Sequence, residues 1–147
     1  MASCVNATDL HGVIAFEQLV CRNDSRQLLI YSHDGAKQFV AYDYGYAFGG
    51  QPNWSRETLA SMAEPVLPEN DPYSGQPYAD GKLLGSAIEG LRVLTEGRLQ
   101  EVLRAISPPR WGVSLEDVDG LIIALHQRAG KLINQFNDRY RRQLEVL

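Results

Sequence analysis

Two short apolar runs on either side of an Asp-Gly pair constrain the fold of this chain more than any other feature. Residues 27–32 and 38–42 are rich in aliphatic and aromatic side chains that favour strands, and the segment 33–37 between them contains Asp34 and Gly35. Asp-Gly at such a position is a strong hairpin signal, because both residues tolerate the positive φ angles of a tight turn. The sequence therefore predicts one antiparallel β-hairpin.

Helical periodicity dominates the rest of the chain. Apolar residues recur at helical spacing in 7–22, 56–63, 83–94, 98–106 and the stretch that begins at 114. A glycine-rich stretch at 43–50 and a proline-rich stretch at 65–81 interrupt the pattern and are predicted as loops. The element order predicts a mostly helical α+β fold, a single domain over 1–147, in which the hairpin follows the first helix.

Polar residues mark several of the helix starts. Asn6 or Thr8 is a candidate N-cap of the first helix and Ser55 of the second, while Ser114 and Asp117 resemble a capping box. One face of the last helix is apolar at helical spacing and consists of Val118, Leu121, Ile122, Leu125, Leu132, Ile133, Phe136 and Tyr140. These signals make the last helix the clearest element of the sequence.

Composition and charge exclude several classes of function. The 147 residues carry 14 Lys and Arg against 18 Asp and Glu, a formal net charge of −4, which argues against a protein that grips nucleic acid through phosphates. The basic turn at 139–142 is interpreted as a solvated helix end. No apolar run is long enough for a bilayer, and the start of the chain lacks the apolar region of a signal peptide. We therefore expect a cytoplasmic protein without membrane contact, in which Cys4 and Cys21 are reduced thiols.

The order of helix, polar loop, hairpin and Asp-x-Gly resembles the middle of a protein-kinase C-lobe. In kinases, an Asp on the loop after the helix is the catalytic base, a nearby Asn helps to hold a metal, and the Asp after the hairpin holds Mg²⁺. Asp24 and Asp43 occupy the two aspartate positions in this chain. The hairpin between them has the length that this resemblance requires.

The finer resemblance is to HipA-like kinases. Residues 16–24 are similar to that family's passage from a helix into the catalytic loop, and residues 42–48 are similar to its Asp-His-Gly-x-Ala-Phe segment. Residues 106–112, followed by a helix with Leu125, Arg128 and Leu132, are similar to its closing Trp-containing turn and Leu-x-x-Arg helix. The resemblance implies a helical kinase-C-lobe-like domain with one hairpin, and it implies Mg²⁺ and ATP as the cofactors of an active member.

Two departures from the kinase pattern change the expected function. Nothing before residue 7 could supply an N-lobe, and all three lysines follow Asp24, so none can be the strand lysine that clamps ATP. The residue five positions after Asp24 is Leu29, which cannot ligate a metal. If the loop is two residues shorter, Gln27 takes the Asn position with a longer side chain. We interpret the catalytic loop as decayed.

Each candidate site residue has a functional and a structural interpretation, and the sequence leaves both open. Asp24 is a candidate catalytic base, Gln27 and Asp43 are candidate cofactor-binding residues, and Asp43 is also a candidate Mg²⁺ ligand. Alternatively, both aspartates stabilise turns or a helix end. A dense aromatic stretch and two tyrosines of the proline-rich loop are candidates for core or for a protein-binding surface, namely Tyr44, Tyr46, Phe48, Trp54, Tyr73 and Tyr78.

Two functions of different class follow from these residues. The first, which we favour, is a non-catalytic binding or regulatory protein on a kinase C-lobe remnant, an inhibitor or regulator of phage or mobile-element origin that needs no cofactor. The alternative is the C-terminal half of a split kinase that depends on Mg²⁺, ATP and an N-lobe partner. Because a C-lobe without its N-lobe bares an apolar surface around 44–54, we expect a protein partner or self-association.

Overall fold

The structure, a computed structural model, describes residues 4–22, 28–41, 47–50, 54–68, 81–106 and 112–144. The strands are β1 (Leu28–His33) and β2 (Ala36–Ala41), and the helices are α1 (Leu10–Leu19), α2 (Ala47–Gly50), α3 (Arg56–Ala60), α4 (Gly81–Glu89), α5 (Glu96–Ala105) and α6 (Leu115–Leu144). Short 3-10 turns precede α1 at Ala7–Asp9 and follow α4 at Gly90–Val93. The chain is mostly helical with one hairpin after the first helix, which confirms the predicted fold class.

β1 and β2 form the predicted hairpin. They pair antiparallel up to His33 opposite Ala36, so the turn contains only Asp34 and Gly35 instead of the predicted segment 33–37. Both turn residues have a positive φ, 49° and 77° respectively. Such a two-residue turn matches the twist of the two strands, and each strand therefore extends further toward the turn than the sequence predicted.

The first helix is shorter than predicted at both ends. α1 stops at Leu19 because Cys21 adopts a positive φ of 51°, which a right-handed helix does not contain. The N-cap residue is Asp9, whose side chain makes no capping bond, so neither predicted cap acts there. The Asn6 amide group instead bonds both backbone groups of Phe39 in β2, each at 3.0 Å. A predicted helix cap thus serves to hold the hairpin.

Two other predicted caps are confirmed. Ser55 Oγ accepts a hydrogen bond from the Thr58 N–H, and Thr58 Oγ1 accepts one from the Ser55 N–H, which completes a capping box before α3. Before α6, Ser114 Oγ accepts from the Asp117 N–H at 3.0 Å and donates to the Asp117 carboxylate at 2.6 Å. Both helices therefore begin where the polar residues of the sequence indicate.

One element inside the predicted glycine-rich loop was not expected. Residues 47–50 form the single-turn helix α2, although Gly49 and Gly50 disfavour a helix. A tertiary contact holds this turn, since the Phe48 N–H donates to the Val20 carbonyl at 2.7 Å. Phe48 has a positive φ of 58°, so this single turn is not a regular right-handed helix. The contact attaches the segment after the hairpin to the end of α1.

Two apolar clusters hold the elements together. The larger cluster joins α1, α3, α4, α5 and α6, and its centre consists of side chains at most 1% exposed: Leu67, Leu84, Ile88, Ile122 and Leu132. The smaller cluster, made of Cys4, Leu10, Ile14 and Phe39, attaches the hairpin to α1. The hairpin therefore packs on the helical body through a small satellite core.

α6 is the central helix of the larger cluster. Six of its predicted apolar residues are buried there: Val118, Leu121, Ile122, Leu125, Leu132 and Ile133. Phe136 is half-buried against the same cluster, and the side chain of Tyr140 lies outside the described ones. None of the helices in the described ranges has both the length and the apolar character needed to cross a bilayer.

Candidate functional site

Most of the residues that the sequence predicted for a site lie outside the part of the chain that the structure describes. They are Asp24, Gln27, Asp43, Tyr44, Tyr46, Tyr73 and Tyr78. Their roles in catalysis, in cofactor or metal binding and in partner contact stay predictions. The described residues show what flanks these segments: α1 and β1 lie on either side of 23–27, and β2 and α2 on either side of 42–46.

Two of the predicted aromatic residues are described, and they lie against each other. The ring centroids of Phe48 and Trp54 are 5.9 Å apart with an angle of 63° between the ring planes, an edge-to-face arrangement. Both side chains are half-buried and pack against the larger apolar cluster. This part of the aromatic stretch contributes to the core, and a partner could reach only the uncovered half of each ring.

A buried ion pair lies at the C-terminal end of α1, directly before residues 23–27. Arg22 Nη1 donates to Glu17 Oε1 at 3.2 Å, and the two side chains are 1% and 3% exposed. Charges so deeply buried are costly unless they are paired, so each of the two stabilises the other. The pair fixes the last described residue before this segment to the body of α1. Sequence reasoning missed it.

Arg128 of α6 holds the same end of α1. Its Nε donates to the Leu19 carbonyl at 2.7 Å, its Nη2 to the Gln18 carbonyl at 2.6 Å and its Nη1 to the Ala63 carbonyl at 2.6 Å. The last carbonyls of a helix lack helical partners and carry the negative end of the helix dipole. A buried guanidinium is therefore a matched partner for this helix end, and it connects α1, α6 and the segment after α3.

Burial lowers the pKa of the Arg128 guanidinium, and the neighbouring Cys21 and Glu64 oppose this effect. Arginine nevertheless stays protonated in proteins, so the end of α1 contains a permanent buried cation. The sequence carried a signal for it, because Arg128 interrupts the apolar face of α6 between Leu125 and Leu132. A single charged residue in an otherwise apolar helix face indicates a buried side chain that makes hydrogen bonds.

A ladder of polar side chains on α6 holds the irregular segment 62–68, which leads into the proline-rich residues. The ladder consists of Arg128, Lys131, Gln135 and Arg139. At its centre, Gln135 Nε2 donates to the Pro65 carbonyl at 2.7 Å, and Gln135 Oε1 accepts from the Leu67 N–H at 3.1 Å. Residues three or four positions apart share one face of a helix, which is why these four side chains reach the same segment.

Arg139 was predicted to belong to a solvated basic helix end, but its side chain bonds the backbone of another segment. Its Nη1 donates to the Pro68 carbonyl at 2.7 Å and its Nη2 to the Leu67 carbonyl at 2.8 Å. The guanidinium therefore bonds the protein itself instead of forming part of a solvated helix end. The contacts fix the last described residue before 69–80, the stretch that carries two of the predicted partner-binding tyrosines.

The outer face of the hairpin is apolar and exposed. Leu29 and Val40 lie opposite each other and are 56% and 43% exposed. Tyr31 lies on the same face as Leu29 because alternate residues of a strand point to the same side, and its hydroxyl donates to Gln38 Oε1 at 2.6 Å. The inner face carries the buried Phe39. Single exposed apolar residues are ordinary, but a contiguous group of them marks interaction sites.

The described residues offer no cluster of three His, Cys, Asp or Glu side chains that could hold a metal ion. The predicted ligand Asp43 lies outside these residues, so its metal-binding role is neither supported nor contradicted. Leu29, the residue five positions after Asp24, has an apolar side chain that cannot ligate a metal. It is part of β1 and pairs with Val40.

The described part of the candidate site thus has two components. One is the α1 end that is held by buried charges, and the other is the exposed outer face of the hairpin.

Comparison of the chain with protein-family models, with curated proteins and with solved structures finds no significant match.

Proposed function

We propose that this chain is a non-catalytic binding protein that regulates another protein through the outer face of its hairpin. The observation that carries the proposal is the group of Leu29, Tyr31 and Val40, which are 41–56% exposed on one face. Covering such a surface is favourable by roughly 25 cal/mol for each Å² of apolar area removed from water. A tyrosine adds a polar hydroxyl to apolar area, a combination that is enriched at the centres of interfaces.

The resemblance to a HipA-like kinase C-lobe supports a binding role without catalysis, although it does not by itself single out the hairpin face. In a kinase, the hairpin between the catalytic loop and the Asp-x-Gly segment lies in the lobe that packs against the N-lobe. A scaffold that keeps this hairpin but has Leu29, or Gln27 if the loop is two residues shorter, in place of a metal-binding Asn would bind a protein without using ATP. We propose an inhibitor or regulator of the kind that a phage or another mobile element carries.

Affinity capture with matched variants tests this function. Leu29→Lys with Val40→Lys places two charges on the outer face, and Val93→Lys with Val102→Lys does the same at exposed positions elsewhere. We expect the wild type and the second variant to capture the same protein. The hairpin variant should bind that protein at least about tenfold more weakly, which corresponds to a loss of about 1.4 kcal/mol of binding free energy. Equal affinity of both variants for that protein would contradict the proposal.

A second function, the C-terminal half of a split Mg²⁺- and ATP-dependent protein kinase, is favoured by the buried support of α1. The Glu17–Arg22 pair and Arg128 fix the helix end immediately before the segment that contains Asp24. A catalytic base must be held within a fraction of an ångström of its productive position, and buried charges of this kind supply such support. Asp24 would then orient a substrate hydroxyl, and Asp43 would hold Mg²⁺.

Phosphate transfer by the chain together with an N-lobe-bearing partner tests the second function. If it is correct, Asp24→Asn and Asp43→Asn each abolish transfer of the γ-phosphate from ATP. Asp138→Asn, which removes an exposed carboxylate of α6, leaves the rate unchanged. Transfer that persists in the Asp43→Asn variant would exclude Asp43 as the Mg²⁺ ligand.

A further inference from the structure

The two edges of the hairpin differ in whether their outward-pointing backbone groups are hydrogen-bonded. At the β2 edge, the Val5 N–H donates to the Lys37 carbonyl at 2.8 Å. The Asn6 amide group bonds the N–H and the carbonyl of Phe39, each at 3.0 Å. The backbone groups of these two β2 residues therefore point away from β1, and residues 4–6 cover that edge.

The pairing register fixes the orientation of the β1 backbone groups as well. In an antiparallel ladder, two opposite residues either exchange both hydrogen bonds or both point outward. Ile30 lies opposite Phe39, and Ser32 lies opposite Lys37. Leu28 has the same orientation, since it precedes Ile30 by two residues. The N–H and carbonyl groups of these three β1 residues point outward, and none of the residues that the structure describes bonds them.

β1 also lacks the features by which edge strands avoid pairing with one another. Residues 28–33 contain no Pro, Lys, Arg, Asp or Glu. The ladder is continuous along the whole strand, without a bulge. Charged residues, prolines and bulges are the usual protections of an exposed edge.

We propose that β1 pairs antiparallel with β1 of a second copy of this chain, so that the two hairpins form one continuous sheet. In this register Ile30 lies opposite Ile30 of the second copy, and Leu28 lies opposite Ser32. All three outward-pointing residues are matched, and each matched pair exchanges two N–H···O bonds. A shift by two residues in either direction leaves one of the three without a partner.

The same register makes the outer faces of the two hairpins complementary. Leu29 lies opposite Tyr31 of the second copy at a non-hydrogen-bonded position, where Cα atoms are about 4.5 Å apart. Aromatic side chains stabilise sheets when they face aliphatic ones across two strands. The two-fold axis puts both outer faces on one side of the joined sheet. The dimer does not depend on the proposed function, but it would double the apolar face available to a partner.

Sedimentation equilibrium over a wide concentration range tests the dimer. We expect the wild type to be a dimer that dissociates on dilution. Ile30→Lys places a charge at the seam and should raise the dissociation constant about tenfold or more, whereas Val40→Lys, on the other strand, should leave it within about threefold of the wild type. Circular dichroism establishes that both variants are folded. A wild type that is monomeric at every concentration, or a dimer that Ile30→Lys does not weaken, overturns the proposal.

Cysteine variants test the register. Ile30→Cys should form a disulfide with the second copy under mild oxidation, because hydrogen-bonded opposite residues have Cα atoms about 5.5 Å apart, within the range for a disulfide. Leu29→Cys alone should remain uncrosslinked, and Leu29→Cys combined with Tyr31→Cys should crosslink. The native Cys4 and Cys21 are buried, and the crosslinking of the wild type, which contains only these two cysteines, is the background level. Crosslinking of Leu29→Cys alone as readily as Ile30→Cys would overturn this register.

Discussion

Three backbone carbonyls, two at the end of α1 and one after α3, are bonded by a single side chain, that of Arg128. Its charge is buried, and the last carbonyls of a helix have no partner within the helix. A planar guanidinium can donate in several directions at once, which a lysine ammonium on a flexible stem does less well. Arg128 therefore provides hydrogen-bond donors to the end of α1 and ties it to α6 and to the segment after α3.

Replacement of Arg128 by Met tests this role. The variant leaves the buried Leu19 carbonyl and two partly buried carbonyls without their donor, and a buried unsatisfied acceptor costs about 1–3 kcal/mol. We expect the free energy of unfolding, measured by urea denaturation, to fall by about 3 kcal/mol or more. The control Arg98→Met removes an exposed guanidinium that pairs with Glu101, and it should cost less than about 1 kcal/mol. Similar losses in both variants would contradict the role.

The buried Glu17–Arg22 pair makes a different prediction. Glu17→Gln leaves the Arg22 charge buried without its carboxylate, and we expect it to lower the free energy of unfolding by about 3 kcal/mol. The double variant Glu17→Leu with Arg22→Met should be more stable than the sum of the single changes predicts, because it removes both charges of the pair. A double-mutant cycle measures this coupling, and additive losses would contradict it.

At the scale of elements, the helices and strands that the sequence predicted correctly are those that depend on interactions between residues close in sequence. The Asp34-Gly35 turn, the Ser55 cap and the apolar face of α6 each depend on neighbours a few residues away, and all three were found. The early end of α1 and the helical turn α2 were missed, because each depends on bonds to residues distant in sequence. Asn6 is the clearest case, since the side chain expected to cap a helix bonds Phe39 instead.

The cap of α3 couples helix stability to a titrating group. The Ser55 hydroxyl donates to Glu57 Oε2 at 2.7 Å and lowers the pKa of that carboxyl. The bond favours the ionised form, so its contribution is present above the ordinary pKa and is lost as the pH falls through the lowered value. Ser55→Ala should raise the pKa of Glu57 toward its ordinary value and, through loss of the cap, cost about 1 kcal/mol.

NMR titration of the side-chain carboxyls measures the predicted shift. Glu89 is the internal control, because Arg92 and not a serine lowers its pKa, and that pKa should stay the same in the variant. A pKa of Glu57 that does not change in Ser55→Ala would show that other groups hold it low.

At the scale of the whole molecule, the two apolar clusters predict two levels of stability. The helices share the larger cluster, whereas the hairpin is attached through four buried residues and the Asn6 contacts. Elements with few buried contacts open at a lower free energy than the core. Native-state hydrogen exchange should therefore show the amides of β1 and β2 opening below the free energy of global unfolding, and those around Leu132 opening only near it. Equal opening free energies would contradict this division.

The candidate site was less predictable than the fold for a physical reason. Residues 27–32 are apolar on both faces of the strand, so the alternation that tells a covered face from an open one is missing. Only the packing of Phe39 on α1 shows that Leu29, Tyr31 and Val40 stay exposed. The kinase resemblance placed Asp24 and Asp43, but it did not single out the hairpin face.

We propose that the molecule is a scaffold for a binding surface and not a phosphotransferase. Calorimetric titration of the chain with ATP in the presence of Mg²⁺, alongside the Asp43→Asn variant, tests it most directly. We predict no saturable heat for either protein up to millimolar nucleotide. Mg²⁺-dependent binding by the wild type that is lost in Asp43→Asn would contradict the claim and would favour the split-kinase alternative.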